Sequence, residues 1–313
     1  MEAQTEPYYS YSRYLKETFG GKTQKVVVSS GLTCPTRDGT IDEGGCSFCD
    51  VRGSSSYFGK IGRGKEIQEQ IQQRLPAIRD RYNAQHFVAY FQSYTNTYSD
   101  IDYLREIYTT ALSEPEIKGL CIGTRPDCIP DPVIELLEEL GQKHYVSLEL
   151  GVQSLEDPTL LWLERGHDGA SSIDALERMR KGAPHVQTCA HLMFGSPTDT
   201  PEMARNTALA LNATGVRGVK LHQLMILQNT KLAKQWLEKP FPTLSVDEYA
   251  AIVIEFLEYL SPEIYVERLC AKATHSKECL APEWSRSHWE PLNRINALLA
   301  EKNCKQGSRL VLR

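Results

Sequence analysis

What most restricts the fold of this chain is a regular alternation of short, β-branched-rich apolar runs with longer segments of helical spacing. The runs are Lys25–Ser30 (KVVVSS), Phe87–Gln92 (FVAYFQ), Gly119–Gly123 (GLCIG), Tyr145–Leu150 (YVSLEL), Thr188–Phe194 (TCAHLMF), Val219–Leu227 (VKLHQLMIL) and Ile264–Leu269 (IYVERL). Helical spacing fills Lys65–Tyr82, Ile101–Ser113, Asp131–Gly141, Ser171–Lys181, Pro201–Asn212 and Ser245–Leu260. Several of these open with Ser, Asp or Pro, residues suited to a helix start. Successive parallel strands need crossovers of this length, so the alternation predicts a parallel sheet. The near-continuous apolar character of the runs predicts that both faces of the sheet are covered, as in a barrel or a doubly wound sheet.

A chain of 313 residues, 41% of them hydrophobic, can bury one such barrel or two modest domains. No linker, low-complexity tract or internal repeat divides it, which predicts an N-terminal segment 1–24, a barrel core 25–262 and a C-terminal extension 263–313. The net charge of −5, with both signs interspersed, lacks the global basic footprint of a nucleic-acid binder. No apolar run approaches the roughly 20 residues that cross a bilayer, and the start of the chain has no apolar secretory core. A cytoplasmic protein without a membrane partner is expected.

Nine cysteines is an odd number, and three of them fall in one loop, Thr33–Asp50 (TCPTRDGTIDEGGCSFCD), which fits metal ligation better than a disulfide framework. Cys46 and Cys49 form a CxxC pair, and Gly39, Gly44 and Gly45 give the backbone freedom to bring Cys34 round to it. Thiolates select zinc or iron–sulfur. A structural zinc wants four protein ligands, and no other cysteine or histidine lies within about thirty residues of the trio. A [4Fe–4S] cluster held by three cysteines keeps one iron open, and the loop follows the first strand, at the end where a β/α barrel places its chemistry. Cys121, Cys128, Cys189, Cys270, Cys279 and Cys304 read as buried thiols, with Cys270 and Cys279 the pair an auxiliary cluster would use. Zinc held by the trio and a distant fourth ligand, in a structural or interaction protein, is the reading from another class.

Motifs beyond the cysteine loop carry a resemblance. They are YFQSYTNTY (Tyr90–Tyr98), CIGTRPDCIPD (Cys121–Asp131), LELGVQS (Leu148–Ser154), RGHD (Arg165–Asp168), AHLMFG (Ala190–Gly195) and VKLHQL (Val219–Leu224). With them the chain resembles the YhcC-like radical S-adenosylmethionine (SAM) proteins, related to the Elongator catalytic subunit and the oxygen-independent coproporphyrinogen oxidases. The resemblance covers nearly the whole chain.

It implies an α/β fold, a partial (β/α)6 TIM-like barrel of the radical SAM type with a short C-terminal extension. It implies a [4Fe–4S] cluster on Cys34, Cys46 and Cys49 that cleaves SAM reductively to a 5′-deoxyadenosyl radical, with a reductant such as flavodoxin or ferredoxin. It places Gln92 and Ser93 near the SAM amino group, matches Gln153 and Arg165 to SAM-contacting positions, and sets Glu149 at the fourth strand's tip facing the cofactor. His191 stands where relatives carry an Asp for the ribose, and GSPTDT (Gly195–Thr200) departs from the usual glycine pattern. Tyr94, Tyr98, His167, His191 and His222 are candidates to meet substrate, and His222 reads equally as a core histidine. Arg125 and Asp127 read as an ion pair capping the helix near Pro130 or as direct contacts to SAM or substrate. A tRNA wobble uridine is the implied substrate, and a porphyrin-like small molecule the alternative. The basic residues Lys60, Arg63, Lys65, Arg74, Arg79 and Arg81 read as a solvated helix face or as contacts to tRNA phosphates.

Overall fold

The structure is a computed structural model that describes residues 6–50 and 65–310. Its elements alternate as the sequence predicts: α1 (Tyr11–Phe19), β1 (Thr23–Val28), α2 (Lys65–Tyr82), β2 (His86–Phe91), α3 (Ile101–Leu112), β3 (Ile117–Thr124), α4 (Asp131–Gly141) and β4 (Tyr145–Gln153). There follow α5 (Asp157–Trp162), α6 (Gly169–Gly182), β5 (Gln187–Phe194), α7 (Met203–Thr214), β6 (Gly218–Gln223), β7 (Ile226–Leu227), α8 (Lys231–Glu238), α9 (Val246–Tyr259), β8 (Tyr265–Arg268), β9 (Cys279–Ala281) and α10 (Trp289–Glu301). Among the described residues no helix is long and apolar enough to cross a membrane.

Seven strands form one parallel sheet in the order β1-β2-β3-β4-β5-β6-β8. Because the strands lie side by side in chain order, the crossovers all run the same way round and the sheet curls into a partial barrel. Side chains alternate between its faces. Val26, Val28, Phe91, Leu148, Leu150, Leu192 and Leu221 point outward and pack in the main core with residues such as Ile107, Leu137 and Val253 of the helices. The other register faces the hollow of the barrel, where Val88 and Cys121 pack with Tyr90, and Cys189 and Tyr265 with α1, beside the charged Lys25, Glu149 and Lys220.

Two strand boundaries also differ from the sequence reading. The run Val219–Leu227 breaks in two, because buried Gln223 turns its amide to the Ala271 backbone, donating to the carbonyl at 2.6 Å and accepting from the N–H at 2.9 Å. Beyond the break, β7 pairs antiparallel with β9. At Gly151 the apolar signal of the fourth run stops but the ladder continues, Gln153 pairing with Leu192, so Glu149 sits inside β4 rather than at its tip.

The open edges β1 and β8 are bridged in two ways. At one end, the N-terminal segment meets β8: Val266 N–H donates to Tyr9 O at 2.8 Å, and Tyr14 of α1 stacks on Tyr265 at 4.2 Å between ring centroids. Inside the barrel, Lys25 of β1 reaches Glu267 of β8 at 2.8 Å and Glu149 of β4 at 2.5 Å, while Lys220 of β6 lies 2.8 Å from both carboxylates. The Tyr90 hydroxyl donates to Glu149 at 2.7 Å. Glu267 enters this square because the ladder skips it: Val219 pairs with Val266 and Lys220 with Arg268.

The four side chains are between 3% and 17% exposed, so removing one strands a buried charge. Lys25→Met should lower unfolding stability in urea by about 3–5 kcal/mol. Lys25→Met with Glu267→Leu, which leaves Lys220 and Glu149 as a neutral pair, should cost less than the sum of the two single changes. Equality with that sum contradicts the square.

Candidate functional site

The loop after β1 is folded by its own backbone. Arg37 N–H donates to Cys34 O at 2.8 Å, Gly45 N–H to Thr36 O at 2.7 Å and Cys49 N–H to Cys46 O at 3.0 Å, the last closing the CxxC turn. Gly45 holds φ +85°, and a Cβ there would stand 2.9 Å from Arg37 Nε, so both the turn and the close approach require glycine. Outside contacts pin the loop: Ser47 N–H donates to Leu163 O, Leu232 N–H to Ser47 O, and Lys231 pairs with Asp42 at 3.2 Å.

Three guanidiniums converge on the thiols. Arg165 Nη1 donates to Cys46 Sγ at 3.2 Å, Arg125 Nη1 lies 3.9 Å from the same sulfur, and Arg37 Nη2 donates to Cys49 Sγ at 3.3 Å. The buried Thr36 hydroxyl lies 3.1 Å from Cys34 Sγ and 3.9 Å from Cys46 Sγ. Burial pushes the Cys46 thiol up, but Arg165 and Arg125 outweigh it and hold the thiol below its ordinary value. At Cys49 burial prevails over Arg37 and pushes the thiol up to about 11.

Arg125 does more than its motif implied. It forms a two-pronged pair with Asp127 at 2.9 and 2.7 Å and donates to Arg165 O at 2.6 Å, tying the loop after β3 to the one after α5. The predicted helix cap is not made, since α4 starts after Pro130 with no side-chain capping bond.

The three cysteines open onto a cavity over the strand C-termini. Its wall includes all the residues expected to meet the cofactor: Gln92, Ser93, Glu149, Gln153, Arg165 and His191. Alternate positions supply them, as the inner register requires: Tyr90 and Gln92 on and just past β2, Glu149, Gly151 and Gln153 on β4, His191 and Met193 on β5, Lys220 and His222 on β6. Tyr94 also lines the cavity, whereas Tyr98, bonded to Thr40 at 2.8 Å, and His167 stand outside it. Both oxygens of Glu149 are engaged by Lys25, Lys220 and Tyr90, which makes it the floor of the cavity. Burial alone would raise its carboxyl; Lys220 and Lys25 hold it well below the usual range. His191 accepts from Arg268 Nη2 at 3.2 Å, and burial and Arg268 together keep it neutral.

Several features fit a bound group. Gln153 Oε1, Arg165 Nε and Thr95 Oγ1 are buried at the cavity without a hydrogen-bond partner, and such atoms call for a ligand. Ser93, Tyr94 and Gln153 hold positive φ, a cost of about 1–3 kcal/mol each that tends to gather at binding sites. A Cβ on Gly151 would stand 3.0 Å from Gln153 Nε2 and 3.4 Å from Arg165 Nη2 and crowd both. Among the described residues no three Cys, His, Asp or Glu side chains converge on one point where a single metal ion would sit.

Asn96, fully buried, was missed by the sequence reading. Its amide donates to the carbonyls of Phe91, Ser93 and Gly123 and its oxygen accepts from Ser30, bracing the tips of β2 and β3. Cys270 lies in the main core, and Cys279, the first residue of β9, in a separate cluster with Met225, Ala271 and Ala273. Of the basic stretch, Lys60, Arg63 and the Lys65 side chain lie outside the described residues; Arg74 donates to Val27 O and Arg79 pairs with Glu116.

The Radical SAM superfamily matches residues 43–211, and the Radical_SAM C-terminal domain matches residues 216–301. Protein YhcC of Escherichia coli (strain K12) is 35% identical over 297 residues, 95% of this chain and 93% of that protein. The tRNA uridine(34) acetyltransferase of Dehalococcoides mccartyi (strain CBDB1) is 27% identical over 158 residues, 48% of this chain and 32% of that protein. Among solved structures, the Elp3 of Methanocaldococcus infernus with residues 1–46 deleted has the same fold, with a TM-score of 0.64 at 17% identity. That alignment covers 91% of this chain and 64% of the Elp3 chain. With one match running from the cysteine loop into α7 and the other taking up before β6, this chain belongs to the radical SAM superfamily of enzymes.

Proposed function

We propose that Cys34, Cys46 and Cys49 each bind one iron of a [4Fe–4S] cluster, that SAM binds in the adjoining cavity, and that the substrate is a uridine of tRNA. The observation that carries the first two parts is the meeting, in one cavity, of three thiols with buried polar atoms that lack partners. When bound, cluster and SAM supply one-electron cleavage of a carbon–sulfur bond and hydrogen abstraction from an unreactive carbon.

The chain's own residues prepare the site. Arg165 and Arg125 favour the thiolate at Cys46, the form that ligates iron, and Arg37 opposes the burial cost at Cys49. Arg165 spans the two groups, since Nη1 serves Cys46 while Nε, without a partner, is left for the cofactor. Gln153 offers its free oxygen at the same edge, and Gln92, Ser93 and His191 complete the wall. Lys25, Glu149, Lys220 and Glu267 close the floor, which keeps water from entering from beneath. A one-electron donor such as flavodoxin or ferredoxin supplies the reducing equivalent. The tRNA reading is supported by the relative whose name specifies uridine(34) of tRNA.

Anaerobically reconstituted protein should carry about four irons and four sulfides and show broad visible absorption. Cys34→Ala, Cys46→Ala and Cys49→Ala should each lower dithionite-dependent 5′-deoxyadenosine formation more than about 100-fold, and Arg165→Gln about 10–100-fold. Undiminished formation in all three cysteine variants contradicts the ligand assignment. Mass spectrometry of total tRNA nucleosides from cells lacking the gene should show the loss of one modified uridine. An unchanged profile, with SAM cleavage intact in the purified enzyme, removes tRNA as the substrate.

A further inference from the structure

Arg268 is a cation on the cavity wall that the protein leaves uncompensated. It ends β8, one residue past Glu267, and turns to the side of the cavity formed by β6, β8 and the chain beyond them. Its Nε donates to Leu221 O at 3.1 Å and its Nη2 reaches His191 Nε2 at 3.2 Å. A guanidinium has five N–H donors, so these bonds leave three of them free. Among the described residues no carboxylate pairs with it. Of the other cations of the wall, Arg125 pairs with Asp127, Arg37 donates to Cys49 and Lys220 meets Glu149 and Glu267, while Arg165 donates to Cys46 and Gly151 O and keeps its Nε free. Glu278, on the same wall as Arg268, has a polar interaction of its own.

Lys272 joins Arg268 on this wall from the rim, again with no carboxylate partner among the described residues. The two imidazoles beside Arg268 add no counter-charge. The His191 and His222 rings lie 5.8 Å apart, and His222 Nδ1 donates to Gln223 O at 2.5 Å, which leaves its Nε2 as an acceptor. Met193, Met225 and Leu227 supply apolar surface alongside. A half-buried guanidinium without an anion carries a desolvation cost that a carboxylate or phosphate ligand offsets, and its fork suits either group bidentately.

We propose that Arg268 and Lys272 form an anion subsite that receives a carboxylate or phosphate of the substrate, while His222 Nε2 accepts a hydrogen bond from a donor on the same molecule. The proposal deepens the function given above and rests on it only in taking this cavity as the reaction site. The anion is assigned to the substrate because Arg165, the candidate SAM contact with a free Nε, stands at Cys46 of the cysteine loop, whereas Arg268 ends β8 and reaches only His191 of the candidate SAM contacts. In the sheet β4 is the central strand and β8 an edge strand, so Arg268 approaches the cavity from a different side than the cysteine loop does.

The test uses reconstituted holoprotein with SAM bound, at constant ionic strength. Inorganic phosphate is followed by 31P line broadening and acetate by its methyl proton line. At least one anion should broaden saturably, with affinity about tenfold weaker in Arg268→Gln and about threefold weaker in Lys272→Gln, while SAM affinity stays unchanged in Lys272→Gln and falls by much less than the anion affinity in Arg268→Gln, where only the bond to His191 is lost. A response to phosphate alone identifies a phosphate-bearing substrate, and a response to acetate alone a carboxylate. Absence of saturable broadening in the unaltered protein, or equal affinities in the variants, overturns the proposal. So does a loss of SAM affinity in Arg268→Gln that matches the loss of anion affinity. If Arg268→Gln does not fold, Lys272→Gln at the exposed rim decides, an anion affinity equal to that of the unaltered protein counting against the subsite. Failure of the wider reading shows itself differently, as a protein that binds the anion but assembles no cluster and takes up no SAM.

Discussion

Two lysines and two glutamates sealed inside the curled sheet hold β1, β4, β6 and β8 in one arrangement. Hydrogen bonding along a parallel sheet ties each strand only to its neighbours, so the edges of an open barrel are free to splay unless something spans the hollow. Lys25 does so by meeting Glu267 on the opposite edge, and Glu149 with Lys220 completes the square. Buried ion pairs contribute little net stability over an apolar core, but they tolerate very few geometries. Here that geometry sets the curvature, and the curvature decides which strand tips face one another across the cavity.

Above this floor the inner register changes character along each strand. Glu149 belongs to the ionic square, whereas Gln153, four residues on, points an unpaired oxygen into the cavity. Lys220 lies in the floor and His222 in the wall; on β8 the bulge places Glu267 in one and Arg268 in the other. The cysteine loop closes the opposite side. Two of its three thiols meet guanidiniums, Cys46 with Arg125 and Arg165 and Cys49 with Arg37, so positive charge gathers on this side of the cavity.

The strands and most helices were legible because their outer face is apolar and their crossovers carry helical spacing. The cysteine trio was legible because residues so close in sequence must end close in space. Gln153 and Arg165 could be named from their motifs, although only the fold shows that their free atoms meet at one edge. The square was not legible: Lys25 and Glu267 are 242 positions apart, and each alone looks like an ordinary polar residue in a strand. Glu149 was placed at a strand tip because Gly151 interrupts the apolar run, while backbone pairing is indifferent to that interruption. The α1 helix escaped notice because its nine residues are short for a helix, and what holds it is tyrosine stacking on a strand more than 240 residues away.

The account stands on three thiolates leaving one iron free to bind SAM. Electron–nuclear double resonance on the reduced, reconstituted protein tests that directly, using SAM labelled with 15N in its amino group. The account predicts a 15N coupling on the cluster signal, absent when unlabelled SAM is supplied. A cluster signal that is indifferent to SAM and carries no nitrogen coupling contradicts it.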